Sequence, residues 1–181
     1  QNVEILLNHN TENGITNVDI IFKNINMNEF IAGINSQSYE NFYDGNLSGR
    51  FNLNFNKLGR IIDSTLDLNI GAGSFEVDLP YSKHDIHNIE DAYFSVSYIS
   101  SEEQVDINEI QIKHDDFSVN TKGVIKLNYD GGGKIFTFDA YLSGLSLFKR
   151  GQQIVDNANV IVNVDPINNE INFQELEGEL S

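Results

Sequence analysis

The sequence has no cysteine and no tryptophan, only two prolines and one methionine, and few cations: eleven Lys and Arg against 27 Asp and Glu. The missing cysteines exclude disulfides, thiolate metal centres and a cysteine nucleophile together, while leaving the redox compartment open. A formal charge of −16 without any basic cluster argues against binding to a nucleic-acid backbone and against electrostatic adsorption to anionic lipid. No apolar run approaches the ~18–20 residues that a membrane-crossing helix needs. The chain opens at Gln1 with neither a basic n-region nor an apolar h-region, so it reads as an excised or processed piece whose parent's membrane anchor would lie elsewhere. Its 181 residues suffice for one domain with a sizeable apolar interior.

What is abundant is asparagine, 25 residues, and isoleucine, 22, so chance matches to Asn-containing motifs are frequent and no Asn-rich loop is assigned to glycosylation or metal binding on that ground. Period-2 alternation dominates. Val3-Ile5-Leu7, Phe51-Leu53-Phe55, Leu66-Leu68-Ile70, Phe75-Val77-Leu79, Phe94-Val96-Tyr98 and Val160-Val162-Val164 each place apolar side chains on one face of an extended segment. Turn chemistry separates them at Asn13-Gly14, Asp44-Gly45, Gly71-Ala72-Gly73, Asp130 to Gly133 and Asp165 to Asn169. The pattern predicts a mainly β chain of half-buried antiparallel strands joined as a meander. One stretch, about 28–43, has helical spacing, with Phe30, Ile31, Ile34, Tyr39 and Phe42 on one stripe and Asn28 placed to cap it.

A repeat emerges when the strands are aligned. Val105, Ile107, Ile110 and Ile112 follow the form apolar-x-apolar-x-x-apolar-x-apolar, and Ile171, Phe173 and Leu176 repeat its first three positions before Gly178. Ile15, Val18 and Ile20 form a third, weaker copy, which gives repeat-like units at about 2–22, 91–128 and 157–181. The x-x break moves the apolar side chains from odd to even positions, so a bulge must occur there if one face is to stay apolar. Repeated bulges make a sheet curve and coil.

Candidates for chemistry are sparse. His84, Asp85, His87, Glu90 and Asp91 are the densest set of potential metal ligands, but His84 and His87 converge only in a turn or short helix, and the segment reads as a solvated polar connection between Leu79 and Phe94. Asp63, Asp67, Glu76 and Asp78 alternate onto the polar face of a sheet. No nucleophile elbow, phosphate-binding loop or His-Glu-x-x-His motif is present, and the glycine run 131–133 opens a strand rather than a helix. Enzyme activity, a metal and a cofactor are therefore not expected. The apolar face itself remains, and water must be kept from it, since exposed apolar surface costs about 25 cal/mol per Å². A second sheet, closure into a barrel, or a trough occupied by lipid tails would each serve, and closure is the commoner solution.

From Gly45 to Asn128 the chain resembles a specific family. Gly49-Arg50-Phe51-Asn52-Leu53, Gly59, Leu66 to Gly73, Asp91-Ala92-Tyr93-Phe94, Val105 to Ile112 and Phe117 to Gly123 follow the cadence of the repeating β region of the bacterial AsmA-like superfamily, which includes YhdP and TamB. The helical stretch before a Gly-rich strand is similar to that family's short helix. The resemblance implies a curved, elongated, taco-like antiparallel sheet, in a periplasmic bridge protein anchored in the inner membrane of Gram-negative bacteria. Such a protein carries phospholipids toward the outer membrane along an apolar β-groove, with acyl chains as its partners, membrane proteins at either end contacting other parts of the parent chain, and no cofactor. Combined with the alternation, it nominates Phe51, Leu53, Phe55, Leu66, Leu68, Ile70, Phe75, Val77, Phe94, Val96 and Tyr98 as groove lining. The competing expectation is a closed β-sandwich, a non-catalytic binding or adhesion module presenting Asn- and Asp-rich loops to sugar or protein.

Overall fold

A computed structural model of the chain describes residues 2–28, 44–79, 82–115, 117–129, 135–165 and 170–180. Within these, the side chains of 75–79, 82–87, 129, 135–136, 165, 170–171 and 173–180 are outside the description. The helical stretch expected at 28–43 falls almost wholly outside the described residues. Eleven strands follow one another: β1 (Asn2–Asn10), β2 (Ile15–Asn26), β3 (Asn46–Phe55), β4 (Ile61–Ile70), β5 (Gly73–Leu79), β6 (Ser82–Ile99), β7 (Gln104–His114), β8 (Phe117–Tyr129), β9 (Ile135–Lys149), β10 (Gln152–Asp165) and β11 (Glu170–Leu180). All pair antiparallel with their sequence neighbours in a single sheet, except that β4 and β5 both pair with the long β6. β4 takes Ala92 to Ile99 and β5 takes Ser82 to Ile89, so β4 and β5 act as one broken stave and the sheet has ten staves.

The sheet is curved and unclosed, with β1 and β11 at its free edges. The expected mainly β, curved antiparallel architecture is what forms; the alternative of a β-sandwich is corrected, because the strands make one sheet and not two. Its accessible surface is 12181 Å², against about 8,800 Å² for a compact protein of 20.4 kDa by the usual size scaling. The excess is consistent with a sheet that is not folded onto a second layer.

Local chemistry explains the meander. Asn10 accepts at its carbonyl from Gly14 N–H at 2.8 Å and at Oδ1 from Glu12 N–H at 2.9 Å, closing the first turn. Asn56 does the same between β3 and β4, its Oδ1 accepting from the N–H groups of Leu58 and Arg60. Between β9 and β10 the two-residue loop Arg150-Gly151 has φ of 50° and 78°, the double positive φ that matches the right-handed twist of a hairpin.

The bulges fall where the sequence changes phase. Ser95 pairs with Glu109 and Val96 with Ile107, leaving Asn108 as the extra residue of β7; Ile161 pairs with Glu175 and Val162 with Phe173, leaving Gln174 as the extra residue of β11. Each lies in the x-x break of its repeat. The third copy behaves differently: β2 pairs regularly with β1 through Thr16 and Asn17, and its bulge comes later, at Lys23-Asn24 opposite Ser48, with Asn24 at φ 56°. The segment around His84 is also a correction, since Ser82 to Asp91 belongs to β6 and is no loose connection. Backbone pairing with β5 holds it extended without apolar alternation.

Candidate functional site

Following the register across the sheet places the apolar residues in rows. One row runs from Ile5 on β1 through Ile20, Phe51, Leu66, Val96, Ile107, Gly123, Leu142 and Val160 to Leu176 on β11, crossing every stave without a polar residue. The next is Leu7, Val18, Leu53, Ser64, Tyr98, Val105, Ile125, Ala140, Val162 and Phe173. On the other side of the first, Val3, Phe22, Gly49, Leu68, Phe94, Ile110 and Thr121 continue the same face. None of these three rows contains an acidic or basic residue. The bulges make this possible, because the extra residue at Asn108 puts Ile110 and Ile112 back on the face occupied by Ile107.

Burial of apolar side chains is one-sided. The buried apolar residues Phe22, Leu47, Ala92, Ile107, Ala158 and Val160 all belong to this face, as expected of the inner side of a curved sheet where neighbouring side chains converge. Thr121, the buried polar residue of the same face, donates its hydroxyl to the Ser143 carbonyl at 3.1 Å and so leaves no unsatisfied group there. Most other residues of the face are half-buried, and at the free edge Val3, Ile5 and Leu7 are 58%, 64% and 70% exposed.

Of the residues nominated from sequence, Phe51, Leu66 and Val96 stand side by side in one row, Leu53 and Tyr98 flank Ser64 in the next, and Leu68 lies beside Phe94. Ile70 sits between Leu47 and Ala92, and Phe55 shares the face by alternation along β3. The side chains of Phe75 and Val77, on β5, lie outside the described residues. Ile20, Ile107, Leu142 and Val160 occupy equivalent places and were not nominated; the apolar-x-x-apolar spacing at 107–110 was the signal for the first of the β7–β10 set, whereas β9 hides its face behind a break at Ser143-Gly144, where φ of Gly144 is 63°.

The outer face is a polar mesh. Arg50 donates through Nε and Nη2 to the two carboxylate oxygens of Asp19, both at 2.7 Å. These hydrogen bonds hold the Asp19 carboxyl below its ordinary value against the opposing cost of its burial, with the Arg50 charge and the Asn52 amide adding to the effect; Arg50 is raised in turn, chiefly by the same hydrogen bonds. Asn17 bridges Asn52 and Asn54, Asn54 reaches Asp63 at 2.6 Å, and Asp67 accepts from Ser95 at 2.7 Å and Tyr93 at 3.2 Å. Asp63 and Asp67 are thus engaged in cross-strand hydrogen bonds, while the side chains of Glu76, Asp78, His84, Asp85 and His87 are outside the description. The extended backbone at 84–87 is not the turn that convergence of the two histidines required. Among the described residues no group of three potential metal ligands occurs, and no helix is long and apolar enough to cross a membrane.

Comparison with protein-family models, with curated proteins and with solved structures found no match.

Proposed function

We propose that the inner face is a lipid-holding trough, and that the chain is a segment of an inner-membrane-anchored periplasmic bridge that carries phospholipids toward the outer membrane. The observation that supports this reading best is the apolar row from Ile5 to Leu176, which spans all ten staves of a sheet that has no closing pair between β1 and β11, with largely apolar rows on either side of it. Acyl chains lie in the trough and head groups stay at its solvated mouth. Nine inter-strand spacings of ~4.8 Å give a trough about 43 Å long, and a single acyl tail is about 15 Å, half of a ~30 Å bilayer core. More than one lipid therefore fits end to end, and a lipid can advance without leaving apolar surroundings. Each methylene withdrawn from water contributes about 0.8 kcal/mol, and since each site along the rows offers similar burial, movement between sites is nearly level in energy. Carriage of this kind requires no catalytic residue and no cofactor.

The test is native mass spectrometry with lipid extraction, on protein expressed in a Gram-negative envelope. Co-purifying phospholipid, lost in Leu68→Asp and Val96→Asp while the β-sheet circular dichroism persists, is the expected result. Absence of lipid, with either substitution unfolding the chain, would identify the face as an ordinary core and transfer the argument to a binding module.

A further inference from the structure

A second feature is a cavity of about 540 Å³, lined mainly from the outer face, where three departures from regular pairing meet. The bulge at Lys23-Asn24, the break between β4 and β5 at Gly71-Ala72, and the extra residue Glu90 on β6 all adjoin it. Bulges re-aim side chains and concentrate beside binding sites. Here they open the end of a polar row in which Ser48, Asn69, Tyr93 and Gln111 are direct cross-strand neighbours, with Asn24 and Asn46 beside them.

We infer that this cavity is a binding site for a neutral saccharide of one or two rings. Its volume falls within the ~300–1,000 Å³ of small-molecule sites. Most of its lining side chains are amides and hydroxyls, groups that both donate and accept, as sugar hydroxyls do, with Asp91, Ile70 and Ala92 beside them. Part of that capacity is already used: Tyr93 donates to Asp67, Gln111 Nε2 donates to Glu109 at 2.6 Å, and Ser48 Oγ accepts from Asn24 N–H at 2.9 Å. The Asn46 and Asn69 side-chain amides make no hydrogen bond to another described residue, and the Gln111 carbonyl oxygen stays available. The Tyr93 ring supplies the one aromatic surface against which the C–H face of a pyranose packs.

The other ligand classes fit poorly. A phosphate or carboxylate finds no cation in the lining, and the net charge of −16 opposes its approach. A divalent cation finds only Asp91 as a carboxylate, and Lys113 Nζ already pairs with it at 3.0 Å. An apolar ligand would strand the amides without partners. The inference does not rest on the lipid trough: the polar side chains that would hold the saccharide belong to the opposite face of the sheet, although Ile70 and Ala92 of the apolar face also line the cavity.

The experiment is saturation-transfer difference NMR on the 181-residue chain, with cellobiose, maltose and di-N-acetylchitobiose as separate millimolar probes. At least one probe is expected to receive transfer. Its affinity is expected to fall about fivefold, the loss of one ordinary hydrogen bond, in Asn69→Ala and in Gln111→Ala. Thr65→Ala, exposed on the same face and outside the cavity, is expected to bind as the parent does. Transfer to none of the probes, or binding that survives both cavity substitutions in variants with unchanged circular dichroism, would overturn the assignment.

Discussion

At the scale of single residues, Gly49 shows how the inner face tolerates a gap in its apolar row. A Cβ there would overlap the Asp67 carbonyl oxygen and the end of the Phe22 ring, so Phe22 covers a glycine that has no room for a side chain of its own. Because one obstacle is backbone, it cannot swing away, and Gly49→Ala is expected to destabilise by about 1–3 kcal/mol, read as a lowered urea midpoint. Thr65→Ala, on the exposed side of the neighbouring strand, is expected to change it by less than about 0.5 kcal/mol. On the outer face, the Asp19–Arg50 pair makes a pH-dependent contribution whose sign is fixed by geometry. Asp19 has a lowered folded-state value, so its contribution is present above the unfolded carboxylate value of about 3.9 and is lost as pH falls through the folded one. Comparing urea midpoints of the parent and Asp19→Asn, the parent is expected to be the more stable at pH 7, with the gap closing in strong acid. A gap that persists undiminished at acid pH would show that the pair's charge is irrelevant to stability. Neither the glycine's obstruction nor the partner of Asp19 is readable from sequence, because both depend on register between strands.

At the scale of elements, the sequence is most informative where alternation and burial coincide. Leu66-Leu68-Ile70 and Phe94-Val96-Tyr98 declare β4 and the second half of β6, because each alternate side chain has the inner face to pack on. The first half of β6 is silent, for Ser82 to Ile89 is held by the β5 ladder and carries no apolar stripe of the kind periodicity detects. Bulges are legible when they interrupt such a stripe, as at Asn108, and invisible in β2, where Phe22 and Ile25 still read as a plausible continuation. The Asn108 bulge has a direct test. Asn108 itself is exposed and its amide makes only long hydrogen bonds to Ser95 and Ser97, at 3.5 and 3.3 Å, so Asn108→Ala is expected to cost no more than about 1 kcal/mol. Deleting Asn108 is different, because it turns Ile110 and Ile112 to the outer face while Val105 and Ile107 stay inside. The deletion variant is expected to lose its cooperative unfolding transition, and a deletion that unfolds at the parent's urea midpoint would mean that the bulge does not set the phase of β7.

At the scale of the whole molecule, alternation tells which face is apolar and is silent about what covers it: alternation alone favours closure, whereas the curved open sheet that the family resemblance implies is what forms. Openness leaves two edges. β1 pairs only with β2 and presents Val3, Ile5 and Leu7 largely exposed beside a free row of backbone donors and acceptors, the arrangement that most readily recruits another strand. The stave count matters here. With ten antiparallel staves, β11 of one copy and β1 of another meet antiparallel, so a second copy extends the meander, and the row ending at Leu176 runs on into the next copy's Ile5. Charge opposes the encounter: each copy carries −16, and the sequence of β11 brings Glu175, Glu177 and Glu179 to one edge while β1 of the next copy brings Glu4. Salt shortens the reach of that repulsion, to about 8 Å at physiological ionic strength and about 3 Å at 1 M, while leaving the apolar and backbone terms in place. Self-association measured by sedimentation velocity is therefore expected to grow with protein concentration and with salt, and Ile5→Lys, which places a charge in the middle of the exposed edge row, is expected to restore the monomer. A monomer at every concentration and salt, or association unchanged by Ile5→Lys, would show that β1 is protected by something other than charge.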